Sequence, residues 1–361
     1  MPRPMRSPAI RARRLAQVGF LVLTVAVGVQ FSFWALARTG GRTPVVGRPA
    51  GVEGFLPISA LMSLRLWLAG QGIHPVHQAG LAILVAVLTM STLVAKSFCS
   101  HLCPIGTVSE ALGRLGARLL GRCWLPPRWL DVPLRGLKYA LLSFFAWATW
   151  VALDVGCVRA FLDSPYNRVA DTKMLLFFAH PSRLTMAVLG VLVVGSILVR
   201  DLWCRYLCPY GALLGLLGRA APLKVTRDPA TCTDCQRCTK VCPARLSVHA
   251  MVRVGSVECT SCQDCVAACP VKACLVVRSP RVGTRHLWVR PALVVGLAVG
   301  IYLGVTTFFR LGGHWRGSVS EQEYAQRLRE IDSPPYTHVG GMAAAETERS
   351  EASLARSHVA R

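Results

Sequence analysis

Cys232-Thr-Asp-Cys235-Gln-Arg-Cys238-Thr-Lys-Val-Cys242-Pro243 is answered a little further on by Cys259-Thr-Ser-Cys262-Gln-Asp-Cys265-Val-Ala-Ala-Cys269-Pro270. Both stretches read C-x2-C-x2-C-x3-C-P, the spacing of bacterial [4Fe–4S] ligands. Three thiolates two residues apart let a tight loop wrap three irons of one cube. The fourth Cys lies beyond that loop and points at the other cube. By that rule Cys232, Cys235, Cys238 and Cys269 hold one cluster, and Cys259, Cys262, Cys265 and Cys242 hold a second. Structural zinc also uses C-x2-C pairs, but it does not account for two matching quartets that each end in Pro. A disulfide framework does not suit a segment assigned to the reducing cytoplasm.

Working outward, a second pair of motifs appears. Residues 97–106 read Ser97-Phe-Cys99-Ser-His-Leu-Cys103-Pro104-Ile-Gly106, and residues 202–211 read Leu202-Trp-Cys204-Arg-Tyr-Leu-Cys208-Pro209-Tyr-Gly211. Both are C-x3-C-P-x-G, and both directly follow an apolar run. Cys at i and i+4 share one helical face, so each motif presents two thiols together. Three readings stay open for Cys99, Cys103, Cys204 and Cys208: a third metal site, a redox-active thiol set, or packing at a cofactor or partner surface. Pro104 and Pro209 are expected to end the preceding spans. Thr107 and Glu110 suggest a capping box opening an amphipathic helix over 111–120. Cys123, Cys157 and Cys274 read as small apolar residues.

The rest of the chain is apolar and basic. It has 361 residues, 41 Lys plus Arg against 18 Asp plus Glu, and a net charge of +23, yet only 16% of residues are charged. A soluble domain carries about 25%. Five runs are nearly free of charge, and a spanning helix needs about 20 apolar residues. They predict spans at about 15–37, 77–95, 139–158, 184–200 and 288–309. Residues 55–70 contain Pro57 and Arg65 and read as an interfacial or re-entrant segment. With this assignment 26 of the 41 basic residues fall on one side, in 1–14, 96–138 and 200–290. The positive-inside rule puts that side in the cytoplasm. The expected organisation is a basic cytoplasmic N-terminus (1–14), a membrane domain (15–222) with four spans, a cytoplasmic two-cluster ferredoxin domain (223–285), a fifth span, and an extracytoplasmic tail (310–361) disordered from about 340. The fold class is thus a multi-pass α-helical membrane protein bearing an α+β bacterial-type ferredoxin domain. The charge excess reads as a topology signal rather than a nucleic-acid surface.

His74 and His77 precede the second predicted span and His180 the fourth. Imidazoles at that face suit contact with a quinone head group or its proton. No P-loop, dinucleotide fingerprint or G-x-S-x-G elbow is present.

Taken together, the motifs resemble the membrane-bound polyferredoxin family, which includes the ferredoxin-type quinol dehydrogenase subunit of periplasmic nitrate reductase systems. It also includes accessory iron–sulfur proteins of cytochrome oxidase assembly and nitrous oxide respiration. The resemblance covers roughly residues 48–272. It implies an inner-membrane protein of bacteria with two [4Fe–4S] clusters on the eight cysteines named above, and with the C-x3-C-P motifs at Cys99, Cys103, Cys204 and Cys208. It also implies electron transfer between the quinone pool and a partner redox enzyme. The alternative is an accessory or sensing protein that serves maturation of a respiratory metalloenzyme.

Overall fold

The computed structural model describes residues 7–121, 124, 126–279, 288–331, 333 and 336. Cys123, the end of the predicted ferredoxin domain (280–285) and the tail beyond 340 lie outside the described residues. In chain order the helices are α1 (Pro8–Thr39), α2 (Pro57–Leu68), α3 (Gln78–Val94), α4 (Ser97–His101), α5 (Pro104–Leu119), α6 (Arg128–Trp147), α7 (Val155–Asp163), α8 (Pro165–Arg168), α9 (Ala170–Ala179), α10 (Arg183–Leu198) and α11 (Pro209–Gly218). Strand β1 (Lys224–Arg227), α12 (Arg237–Val241), α13 (Asp264–Ala268), β2 (Leu275–Arg278), β3 (Trp288–Val289), α14 (Pro291–Leu311) and α15 (Glu321–Arg329) follow. The chain is mainly helical, with one small antiparallel sheet in the order β1-β2-β3. Its register pairs Val225 with Val277 and Val277 with Val289.

Among the described residues, only α1 and α14 are single helices long and apolar enough to cross a membrane, and the number rises to four if each of two broken pairs is one span. Against the five spans expected from the sequence, the described helices support two to four. Helix α3 has 17 residues, about 26 Å at 1.5 Å per residue, which is short of the ~30 Å hydrocarbon core. The predicted span 139–158 is interrupted by a π turn at Ala148–Ala152. Asp154 then caps α7 by accepting from the Cys157 amide at 2.7 Å. Arg65 donates to the carbonyls of Thr149 at 2.5 Å and Leu153 at 2.7 Å, satisfying acceptors that the break sets free. The span predicted at 184–200 is paired with α9, and Ser182 caps α10 by accepting from the Thr185 amide. Residues 57–68 form a short apolar helix with Pro57 in its first turn.

The chain packs as two units. The first comprises Met1–Ala26, Ala82–Ala148 and Ser182–Leu311. Its membrane-type core sets Met90, Leu102 and Ala298 against Phe20 and Tyr302. Helices α5 and α10 touch through Gly116, where a Cβ would lie 1.8 Å from the Ile197 carbonyl oxygen. The ferredoxin core gathers Val225, Leu246, Val248, Val254, Leu275 and Val277, each contributing about 1.5–3 kcal/mol by burial.

The second unit comprises Val27–Leu81, Thr149–Pro181 and Gly312–Arg361. Phe31, Trp34, Val169, Tyr324 and Leu328 form its core. Beside them Glu53, fully buried, accepts from the Ala79 amide at 2.9 Å and from Arg48 at 3.0 Å. Arg48 also pairs with Asp171 at 2.7 Å. These partners offset the desolvation of the buried charges.

Candidate iron–sulfur centres

The two ferredoxin loops turn in the same way. Asp234 and Gln236 in the first, and Ser261 and Gln263 in the second, all have left-handed backbone. Four non-glycine residues in this region cost roughly 1–2 kcal/mol each. Alternating left- and right-handed residues aim backbone N–H groups into a concavity that suits an anion such as an iron–sulfur cluster. Short helices α12 and α13 begin directly after Gln236 and Gln263.

Cys232, Cys235, Cys238 and Cys269 line one recess, together with Arg227, His249 and Cys274. Cys274 is buried there. In the second set, Cys242 acts electrostatically on Cys259, Cys262 and Cys265. Burial pushes the Cys259 thiol up to about 11. Each fourth cysteine thus stands with the other loop's three. Among the described residues no three His, Cys, Asp or Glu lie close enough to hold a single metal ion. The residues fit a cluster: four thiols line one recess, and the left-handed turns are of the kind that form anion-binding concavities.

The C-x3-C-P motifs are also alike. Pro104 and Pro209 open the next helices rather than ending the previous spans. Proline at the first helical position sacrifices only an N–H that has no helical partner. Cys103 and Cys208 cap α5 and α11, accepting from the Gly106 amide at 3.4 Å and the Gly211 amide at 3.2 Å. Thr107 therefore lies inside α5, not at its start. The motif glycine has a steric cause at Gly106, where a Cβ would meet the Cys99 carbonyl oxygen at 2.3 Å. Cys204 lies in a π turn, Trp203–Leu207. The four thiols are near enough to influence one another: Cys99, Cys103 and Cys208 each act electrostatically on Cys204. Burial pushes the Cys99 thiol up to about 12 and the Cys103 thiol up to about 11.

Both motifs are tied to the second ferredoxin set. Ser100, next to Cys99, donates to the Thr260 carbonyl at 2.6 Å. Arg205, next to Cys204, donates to the Pro243 carbonyl at 3.2 Å. Arg205 is held by Asp131 at 2.8 and 2.9 Å, and Tyr206 donates to Asp131 at 2.6 Å. Arg13 donates to the Cys262 carbonyl at 3.2 Å and pairs with Glu110 at 3.1 Å and Asp264 at 3.3 Å. Lys138 bonds both oxygens of Glu258, the residue before Cys259, at 2.7 Å. Burial opposes ionisation of Glu258, but Lys138 and Lys96 hold its carboxyl below the ordinary range.

Sequence reasoning did not identify Arg13, Lys96, Ser100, Asp131, Arg205 or Glu258. Arg13 sits in a run that reads as a topology signal. Ser100 and Arg205 are the variable x positions inside their motifs, and that placement was the available clue. His101, also inside a motif, is fully buried, with Nδ1 2.9 Å from the Ser97 carbonyl oxygen.

The three histidines are placed differently. His77 is buried, with Nε2 2.5 Å from the Asn167 carbonyl oxygen and Nδ1 3.5 Å from Glu53. His74 is buried, with Nε2 3.4 Å from Asp163. His180 caps the end of α9 and is exposed.

Residues 76–123 and 180–227, which contain the two C-x3-C-P motifs, match the family described as "4Fe-4S binding domain". Residues 224–270 match "4Fe-4S dicluster domain". YccM of Escherichia coli (strain K12), whose description assigns it provisionally to electron transport, is 40% identical over 88% of this chain and 89% of its own length. Ferredoxin-type protein NapH of Haemophilus influenzae is 25% identical over 64% of this chain and 73% of its own. Regulatory protein NosR of Pseudomonas aeruginosa is 28% identical over 45% of this chain and 22% of its own. No solved structure matches the chain. With apolar membrane-type helices, cysteine loops of the [4Fe–4S] kind and a relative matched along nearly its whole length, the chain belongs to the membrane-bound polyferredoxin family of ferredoxin-type electron-transport proteins.

Proposed function

We propose that the protein passes electrons between the quinone pool and a partner redox enzyme. Two [4Fe–4S] clusters would be held by Cys232, Cys235, Cys238 and Cys269 and by Cys259, Cys262, Cys265 and Cys242. When bound, they supply one-electron oxidation and reduction. The observation that carries this reading is the pair of hydrogen bonds from Ser100 and Arg205 to the ligand loops of the second set. They favour a direct connection from the C-x3-C-P motifs to one of the two clusters.

In this reading Cys99, Cys103, Cys204 and Cys208 form a third metal–sulfur site. Lys96 supports it. This side chain is buried, and a Cβ on Gly211 would lie 3.5 Å from its Nζ and 3.6 Å from the Cys208 sulfur. Its charge acts on both Glu258 and Cys99, and in a buried setting that attraction extends to an anionic occupant of the thiol set.

The finer topology belongs to the same proposal. Helix α3 is a fifth crossing, the N-terminus and ferredoxin loops are cytoplasmic, and the tail is outside, in the inner membrane of a bacterium. His74, His77 and His180 belong to the quinone-facing side. A reporter fused after Arg281 should then behave as cytoplasmic, and one fused after Gly341 as exported.

The test is stopped-flow reduction of the detergent-purified protein by a quinol analogue, with iron and sulfide counts on the same sample. The reading expects about eight iron per chain, rising by about four with the third site, and rapid reduction by quinol. Reduction by dithionite alone would favour the accessory or maturation role, for which the resemblance to Regulatory protein NosR is the supporting observation.

A further inference from the structure

The two ferredoxin loops differ in what covers them. The second is covered by the chain's own Arg13 and Ser100, and Arg205 reaches Pro243, beside Cys242 of the same proposed ligand set. Ser261 and Gln263 between its cysteines are each 3% exposed. The first loop is open. Among the eight ferredoxin cysteines Cys235 is the exposed one.

The open loop is also basic. Arg237 and Lys240 share one face of α12 at i and i+3, and both are exposed. Lys272, three residues beyond Cys269, is exposed as well. One exposed acid, Asp234, lies in the same loop. At the matching positions the second loop has Asp264 for Arg237 and Ala267 for Lys240. Asp264 is already paired with Arg13. The first loop therefore carries exposed positive charge of its own where a ligand thiol reaches solvent, and the second loop carries none at the matching positions.

We propose that the face around Cys235, bearing Arg237, Lys240 and Lys272, is the docking surface for an acidic, soluble, one-electron redox protein. The proposal rests on the electron-transfer reading and adds the partner's chemistry. A cluster held by this loop would give up one electron and the docked carrier would take up that one electron; no bond forms or breaks. Complementary charge steers such encounters and sets their register more than it sets affinity. An exposed ligand at the centre of the patch gives a short path at contact.

The test uses the full-length, cluster-loaded protein in detergent and a flavodoxin as the acidic probe. A zero-length carbodiimide joins lysines to carboxylates only where they touch. The chain has six lysines, so the map is easily read. Cross-links should fall on Lys240 and Lys272. Binding measured by fluorescence anisotropy should weaken at least ~10-fold in the R237E/K240E/K272E variant and in high salt. Iron content and quinol reduction should remain unchanged, which separates failure of this surface from failure of the electron-transfer reading. Cross-links only at Lys224, equal binding of a basic cytochrome c, or capture by anionic lipid vesicles in place of flavodoxin would each overturn the proposal. The cross-link map is made on the wild-type chain, so it decides the matter even if the triple variant loses iron.

Discussion

Residues 232–242 and 259–269 share their cysteine spacing, their left-handed turns and their short helices, but not their surroundings. The second loop is clamped. Arg13 reaches it from α1, Ser100 from one C-x3-C-P motif, and Arg205 reaches Pro243 beside its fourth ligand from the other. The first loop meets solvent through Cys235. The repeated motif gives both loops the same cysteine pattern, while the non-repeated residues decide what each loop meets. Asp264 against Arg237 is the clearest case: one position in the repeat, opposite charges, one paired internally and the other exposed.

The largest effect should come from the junction. Cys99→Ser and Cys204→Ser touch no ligand of either ferredoxin set. Both variants should keep about eight iron and full reduction by dithionite. Their reduction by a quinol analogue should slow by about 100-fold, the upper end of effects from groups around a metal site. Wild-type rates in stopped-flow absorbance would reduce these motifs to packing.

Next in size is the clamp. Arg13→Ala takes the ion-pair partner from Asp264 in a mostly buried setting, while Glu110 keeps Arg114 and Gln17. Breaking such a pair costs about 3 kcal/mol, seen as bleaching of the cluster absorbance at lower guanidinium concentration. A stability within error of wild type would mean that the second loop is not held by α1.

Gly215→Ala should cost roughly 1–3 kcal/mol by overpacking, because its Cβ would lie 2.5 Å from the Val257 carbonyl oxygen, just ahead of Cys259. The same bleaching assay reads it, and an unchanged midpoint would show that α11 can yield at this contact. The smallest effect belongs to the open loop. Arg237→Ala, the counterpart of a change at Asp264, should alter stability by less than about 0.5 kcal/mol, as exposed substitutions usually do. A loss comparable to that of Arg13→Ala would erase the asymmetry.

The parts of this arrangement that were legible in the sequence are those with a fixed local spacing. Eight cysteines at C-x2-C-x2-C-x3-C-P pointed to two sets with crossed fourth members, and the recess is lined by Cys232, Cys235, Cys238 and Cys269. The apolar runs behind α1 and α14 were equally plain. What was not legible depends on contacts distant in sequence. Hydropathy over 139–158 did not reveal that Asp154 would cap a new helix, or that Arg65 would satisfy the freed carbonyls. Pro104 and Pro209 were read as helix ends, yet with Cys103 and Cys208 as caps they are helix starts. The clamp at Arg13 spans 249 residues to Cys262, a pairing that no local pattern encodes.

The most direct test of the asymmetry compares Cys235→Ser with Cys262→Ser, each counted for iron and checked with dithionite, after freeze-quenched reduction by a quinol analogue and EPR. The account predicts that in Cys235→Ser the cluster of the clamped loop is still reduced by quinol at the wild-type rate. In Cys262→Ser the cluster of the open loop should be reducible by dithionite but nearly silent to quinol. Quinol reduction that survives in Cys262→Ser and fails in Cys235→Ser would contradict it.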